Sequence, residues 1–265
     1  MQSHRPDTAV TILGQAMLAV ARSAIEALRD PAFPAGAALP PRFLRHADEH
    51  TVVGINALSA AIAAAGFSAA DLAGCAVVAA PRLAGRPAAA RTLTGWAAQG
   101  HATVSPHIVP WCSLHAMASA VSVALGCHGP HLGVGGGPEA VGEALALLPW
   151  LVGHGGSAVL LVATGWDDEP LLATDGTGAA DAVCRAVALV VAPAAHGGLR
   201  LTHVASPAPP RPRRDADELL RFGQFAAAAA AGPTAVRPPA AWSFAARRGG
   251  VIRAEVVAAM QREAA

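Results

Sequence analysis

Apolar positions along the chain fall into two alternating kinds of segment. Short unbroken runs such as "CAVVAA", "SAVLLVATG", "AVCRAVALVVAP" and "LRLTHVAS" have the length and composition of strands buried on both faces. Longer stretches with small and apolar residues at helical spacing separate them. These are "HTVVGINALSAAIAAA" from His50 to Ala65, "RPAAARTLTGWAAQG", "SLHAMASAVSVALG" closed by Gly126, and "EAVGEALALLPWLVGHG". Ser68 is placed to cap a short turn after the first of these helices. "TAVTILGQAML" predicts an opening strand whose apolar run ends at Gly14, followed by a helical stretch or loop through Leu28. "DPAFPAGAALPPRFLRH" predicts a proline-rich surface excursion, and the prolines of "VSPHIVP" predict an extended connection. Strands alternating with helices predict an α/β fold with a mainly parallel sheet covered on both faces.

The last quarter changes character. "SPAPPRPRR" reads as a stiff proline linker, "DADELLRFGQFAAAAAA" as a helix capped near Asp215, and the remainder as ending in another short helix. Two units follow: residues 1–205, and residues 206–265 as a proline-rich linker and helical tail.

Composition narrows the class. At 265 residues one large core is the default. With 53% apolar and only 14% charged residues, much of the surface must be Ala, Gly and Pro or be covered by another subunit. A net charge of +1 without a basic stripe argues against nucleic acid. The longest apolar stretch, "ALALLPWLVGHGGSAVLLVATG", is broken by Pro149, His154 and a Gly pair, so no membrane span is expected. The N-terminus lacks a clear cleavage pattern, and Cys75, Cys112, Cys127 and Cys184 form no C-x-x-C pair, so a cytoplasmic protein is expected.

Candidate chemistry is sparse. Cys112 in "PWCSLH" has His115 three residues on, a spacing that puts both on one helix side; a buried thiol and a helix histidine meeting a carbonyl is the plainer reading. His101, His107, His115, His128, His131 and His154 match no metal-ligand spacing, so no metal and no other cofactor is expected. "GVGGGP" sits between a strand and a helix as a phosphate loop would, but no Lys-Ser/Thr follows and Pro138 removes an amide. "WDDEP", with Asp167, Asp168 and Glu169, reads as an exposed acidic loop rather than a carboxylate site. "PRPRR", with Arg211, Arg213 and Arg214, reads as solvated linker before it reads as a contact for an acidic carrier.

Ser105 to Gly165 resembles the middle of the β-ketoacyl-acyl carrier protein synthases of the thiolase fold. SP-x-x-x-P, a small-residue helix, G-x-x-GP, a strand, a nucleophile elbow and a helix follow in order without a gap to about Leu145. The likeness extends faintly over Val10 to Val204, about the N-terminal half of a ketosynthase, although at "DGTGAADAVCRAVALVVAP" only Asp175 and Gly176 fit the family pattern. The resemblance puts Pro138 where the family carries its catalytic cysteine, at the first turn of a helix. Proline suits that turn but supplies neither a thiol nor the backbone N–H of the oxyanion hole, a donor whose loss typically costs about 3 kcal/mol of barrier. The two segments holding the family's catalytic histidines have no counterpart after Val204, and neither His196 nor His203 stands in their context.

The resemblance therefore implies a non-catalytic, chain-length-factor-like subunit. It would form a heterodimer with an active ketosynthase, meet an acyl carrier protein, and shape the acyl tunnel. Trp111, Cys112, His115, Met117 and Pro138 become the candidate tunnel or partner contacts. A stand-alone acyltransferase or hydrolase using Cys112 and His115, or a serine, is the alternative; a scaffold that binds an acyl carrier without setting chain length is a third reading.

Overall fold

The computed structural model describes residues 9–30, 42–106, 108–155, 158–168, 181–194, 198–205, 215–231, 242–246 and 250–257. Its strands are β1 (Val10–Ala21), β2 (Ala76–Pro81), β3 (His131–Gly133), β4 (Val159–Trp166), β5 (Val183–Pro193), β6 (Gly198–Ala205), β7 (Trp242–Ala246) and β8 (Gly250–Val257). They form one sheet in the order β3-β2-β4-β5-β1-β6-β8-β7. The helices are α1 (Glu49–Ala65), α2 (Ala69–Ala73), α3 (Arg86–Gln99), α4 (Ile108–Trp111), α5 (Ala116–Leu125), α6 (Ala140–Gly155) and α7 (Asp215–Ala230), with 3-10 turns at Arg22–Leu28 and His101–Thr103.

The α/β architecture agrees with the apolar pattern, and the strand pairing differs from it. Only β2–β3 and β2–β4 pair in parallel; β4–β5, β5–β1, β1–β6, β6–β8 and β8–β7 are antiparallel. The first four strands do run the same way, but β5 lies between β4 and β1 in the opposite sense. An unbroken apolar run reports burial on both faces, and an antiparallel strand covered on both faces shows the same run.

Alternation within the strands divides the core into two layers. Val77, Ala79, Leu160, Val162, Ala186, Ala188 and Val190 point to the face covered by α1 and α5. Ala76, Val78, Leu161, Ala163, Val187, Leu189 and Val191 point to the face covered by α6 and α7. Helix α1 is buried nearly all round, from Glu49 through Ile62, which is why its sequence is apolar on every side. Met117 of α5 lies in this first layer at 1% exposure, and a Cβ added at Gly54 of α1 would sit 2.9 Å from its sulfur.

Several boundaries depart from the sequence reading. Strand β1 does not end at Gly14 but runs on to Ala21, with a register irregularity between Ile12 and Gly14. A side chain at Gly14 would overlap the backbone of Ala61 and Ala65, so the glycine marks a close strand-helix approach rather than a terminus. The extended connection of "VSPHIVP" gives way to α4 at Ile108.

Strands β7 and β8 pair as a hairpin up to residue 257, and the end of the chain, where a short helix is expected, lies outside the described residues. β8 pairs along the whole of β6, and Phe244 of β7 packs with Phe222 and Phe225 of α7 at ring-centroid distances of 5.8 and 5.4 Å. Alternating apolar and polar residues in "WSFAA" and "GVIRAEVV" fit one buried face each. Among the described residues β6 meets β1 at Val10↔Leu199.

Truncating Met117 leaves a void that α1 and β4 cannot close. Met117→Ala is expected to lower unfolding free energy by about 2–5 kcal/mol, measured as a lower urea midpoint with an unchanged slope.

Candidate functional site

The ends of β2, β3 and β4 and the starts of α1, α5 and α6 meet at one end of the sheet. Crevices beyond the carboxyl ends of parallel strands are where open α/β sheets place their ligands. At β3 the strand continues through Val134, whose N–H donates to Ala79 O at 2.8 Å, into the glycine turn. Gly135 and Gly136 have φ of 81° and 89°, the left-handed region that favours glycine. The Ala140 N–H then donates to Gly137 O at 3.2 Å, and the Glu143 N–H donates to Glu139 O at 3.0 Å as the helix begins.

Pro138 is exposed in this turn, two residues before α6, rather than within the first helical turn. Its ring needs no helical hydrogen-bond partner there, and the helix behind it is buried through Ala140, Val141, Ala144 and Leu145.

A second turn supports the elbow from β2. The Arg82 N–H donates to Thr164 O at 2.8 Å, and the Leu83 N–H donates to Gly136 O at 3.3 Å. Leu83 is held at φ 55°, unusual for a branched residue and set by its surroundings. Asp48 anchors this turn. One carboxylate oxygen accepts the Thr51 N–H at 2.9 Å and so caps α1, while the other accepts the Gly85 N–H at 3.0 Å.

Behind Asp48 lies a polar cluster that the sequence reading missed. His50 is fully buried, with Nδ1 2.9 Å from the Thr164 hydroxyl, and its ring stands edge-on to Trp166. Its Nε2 has no hydrogen-bond partner among the described residues. Burial holds the imidazole below its ordinary value, outweighing Asp48 and Glu49, which act to raise it. Glu49 lies 3.9 Å from Arg22 and 3.7 Å from Arg91. The available signal was an acid-rich "DEHT" directly before an apolar helix, which marks a cap.

The five candidate contacts do not form one group. Cys112 is half-buried, and a Cβ on Gly85 would sit 2.7 Å from its Cα. Burial pushes its thiol up, with Asp48 and Glu49 acting the same way and Arg91 against them. This is the reverse of thiolate activation. The other thiols are also raised by burial, Cys75 to about 12, Cys127 to about 11, and Cys184 well above its ordinary value.

His115, just before α5, directs its ring at His131 of β3 and not at a thiol: Nε2 lies 3.0 Å from His131 Nδ1. Met117 is a buried residue of the first core layer, packed against Gly54 of α1. Trp111 closes α4, and its side chain lies outside the described residues.

Among the other candidates, Asp167 is not free in a loop but forms a two-pronged ion pair with Arg185, Oδ2 accepting from Nη2 at 2.7 Å. Glu169, Asp175, Gly176, His107, His196, Arg211, Arg213 and Arg214 lie outside the described residues. Among the described residues no group of three or more His, Cys, Asp and Glu is placed to hold a metal, and no helix is long and apolar enough to cross a membrane.

No family model matches the sequence, and no curated protein matches it. Solved structures do. The chain superposes at TM-score 0.60 and 13% identity on a chain of the complex of the ketosynthase ApeO with its chain length factor ApeC from Xenorhabdus doucetiae. That match covers 93% of this chain and 99% of that one, so it reaches beyond residue 205. The AntDE:AntF complex, a type II polyketide ketosynthase with its acyl-carrier protein, matches at TM-score 0.53 and 13% identity over 76% of this chain and 70% of that one. A β-ketoacyl synthase from Burkholderia phymatum STM815 matches at 0.51 and 15% over 84% and 71%. The chain has the thiolase-type fold of ketosynthase-like proteins.

The buried histidine has a pH signature. In the folded chain His50 resists protonation, whereas unfolded it protonates below about pH 6.5. The unfolded state then binds the extra proton, so stability present above that pH is lost as pH falls, by at most about 1.4 kcal/mol per unit. Urea midpoints at pH 7.5 and 5.5 should fall further for the wild type than for His50→Gln.

Proposed function

We propose that this chain is a non-catalytic ketosynthase-like subunit that pairs with an active β-ketoacyl synthase and helps to shape its acyl tunnel in type II fatty acid or polyketide synthesis, aryl polyenes included. The observation that carries the reading is the elbow. Strand, glycine turn and buried helix follow one another in the order of a nucleophile elbow, and position 138, in the turn before the helix, offers a ring without sulfur or N–H. In this reading Pro138 stands at the family's cysteine position, and the chain contributes shape rather than a covalent intermediate.

Support for a partner comes from the surface beside the elbow. Of α3 only Pro87 is buried, while Leu93, Trp96 and Val109 are 62%, 53% and 73% exposed. The sequence from Arg86 to Pro138 contains no Asp or Glu. An apolar, acid-free surface of this extent fits contact with another subunit better than contact with water. Trp111, Cys112 and His115 lie along this stretch and are the proposed contacts, with the bulk of Trp111 a stop for the acyl chain. An acyl carrier protein is the proposed third member.

Co-expression with a ketosynthase encoded beside it, followed by size-exclusion chromatography, tests the pairing. A stable 1:1 complex is expected, and a monomer indifferent to that synthase would remove the proposal. Within the complex Trp111→Ala should lengthen the products, read by mass spectrometry. A thiol-directed acyl analogue should label the synthase's cysteine and leave Cys112 unmodified. Rapid stoichiometric labelling of Cys112 would instead favour the stand-alone enzyme.

A further inference from the structure

Two histidines sixteen positions apart, outside the elbow, are brought ring to ring. His115 Nε2 and His131 Nδ1 are 3.0 Å apart, with ring centroids at 4.8 Å and planes inclined by 28°. Both side chains are exposed. We infer that His115 and His131 form a two-histidine chelate for a divalent transition-metal ion, on the edge of the sheet at β3.

Imidazole nitrogens bind divalent transition metals such as Ni(II), Cu(II) and Zn(II) at about 2.0–2.1 Å. Two donors 3.0 Å apart in the hydrogen-bonded pair are close enough for one such ion to reach both. Without metal, one imidazole N–H donates to the other ring nitrogen; metal binding replaces that shared proton with the ion.

The backbone holds the pair in place. His131 opens β3 opposite Val77, beside the Val77 N–H bond to Pro130 O at 2.8 Å. His115 accepts the Ser119 N–H at 3.0 Å as α5 begins. β3 and the start of α5 touch at Gly133, where a Cβ would overlap Leu114 O and lie 2.8 Å from His115 Cα. Both ligands thus stand on packed elements rather than on free loops, which lowers the ordering cost of chelation. The exposed rings leave the remaining coordination positions open to water or to a side chain from a bound partner.

Calorimetric titration of the full, untagged chain with Ni(II) tests the inference. One equivalent should bind in the micromolar range and be released by EDTA. Affinity should drop at least tenfold in both His115→Gln and His131→Gln, and remain at the wild-type value in His101→Gln, which removes an exposed histidine elsewhere. Thermal denaturation should show the same pattern, a Ni(II)-dependent rise in midpoint in the wild type and His101→Gln only. Equal binding by the wild type and the His115→Gln/His131→Gln double variant overturns the site. So does an equal loss in His101→Gln, or an absence of binding up to millimolar Ni(II).

Discussion

The two oxygens of Asp48 hold together the end of the molecule on which the rest of the interpretation stands. One closes the first turn of α1, and the other fixes the Gly85 amide, so the deepest helix and the turn after β2 cannot move independently. That turn carries the Leu83 amide bonded to Gly136, and through it the glycine elbow. A buried carboxylate is costly to leave unpaired, and here both oxygens find backbone donors. The elbow's shape is therefore set from below by residues that need no chemistry of their own.

The titratable groups of the chain are drawn into its packing. A ketosynthase site requires a thiol made acidic by a helix start and imidazoles free to exchange protons. Here burial raises all four thiols. The fully buried His50 is kept neutral and bonded to Thr164, and the His115 ring faces another histidine. The polar groups are used to join elements, with Asp167 and Arg185 tying the end of β4 to β5.

Much of this was legible in the chain. The helix from His50 to Ala65, the buried strands β2, β4 and β5, and the strand-glycine-helix junction all stand where the apolar pattern and Gly-Pro punctuation put them. Strand direction was hidden because a run buried on both faces looks the same in either sense. The hairpin of β7 and β8 went unread although its residues alternate, because its burial depends on α7, which is remote in sequence. Asp48 and His50 went unnoticed because a single acid or histidine has no period. Met117 reads from the sequence only as a bulky residue among small neighbours, and its burial against Gly54 comes from the packing of α5 on α1. The meeting of His115 and His131 depends on β3 lying beside the start of α5, which no spacing encodes.

The helix behind the elbow also fastens the far side of the sheet. Val141, Ala144 and Leu145 of α6 share one apolar layer with Phe222 and Phe225 of α7 and Phe244 of β7. A side chain at Gly142 of α6 would overlap Ala245 O of β7, so a change of pitch in the outer strands reaches the first turn of that helix and the glycine turn before it.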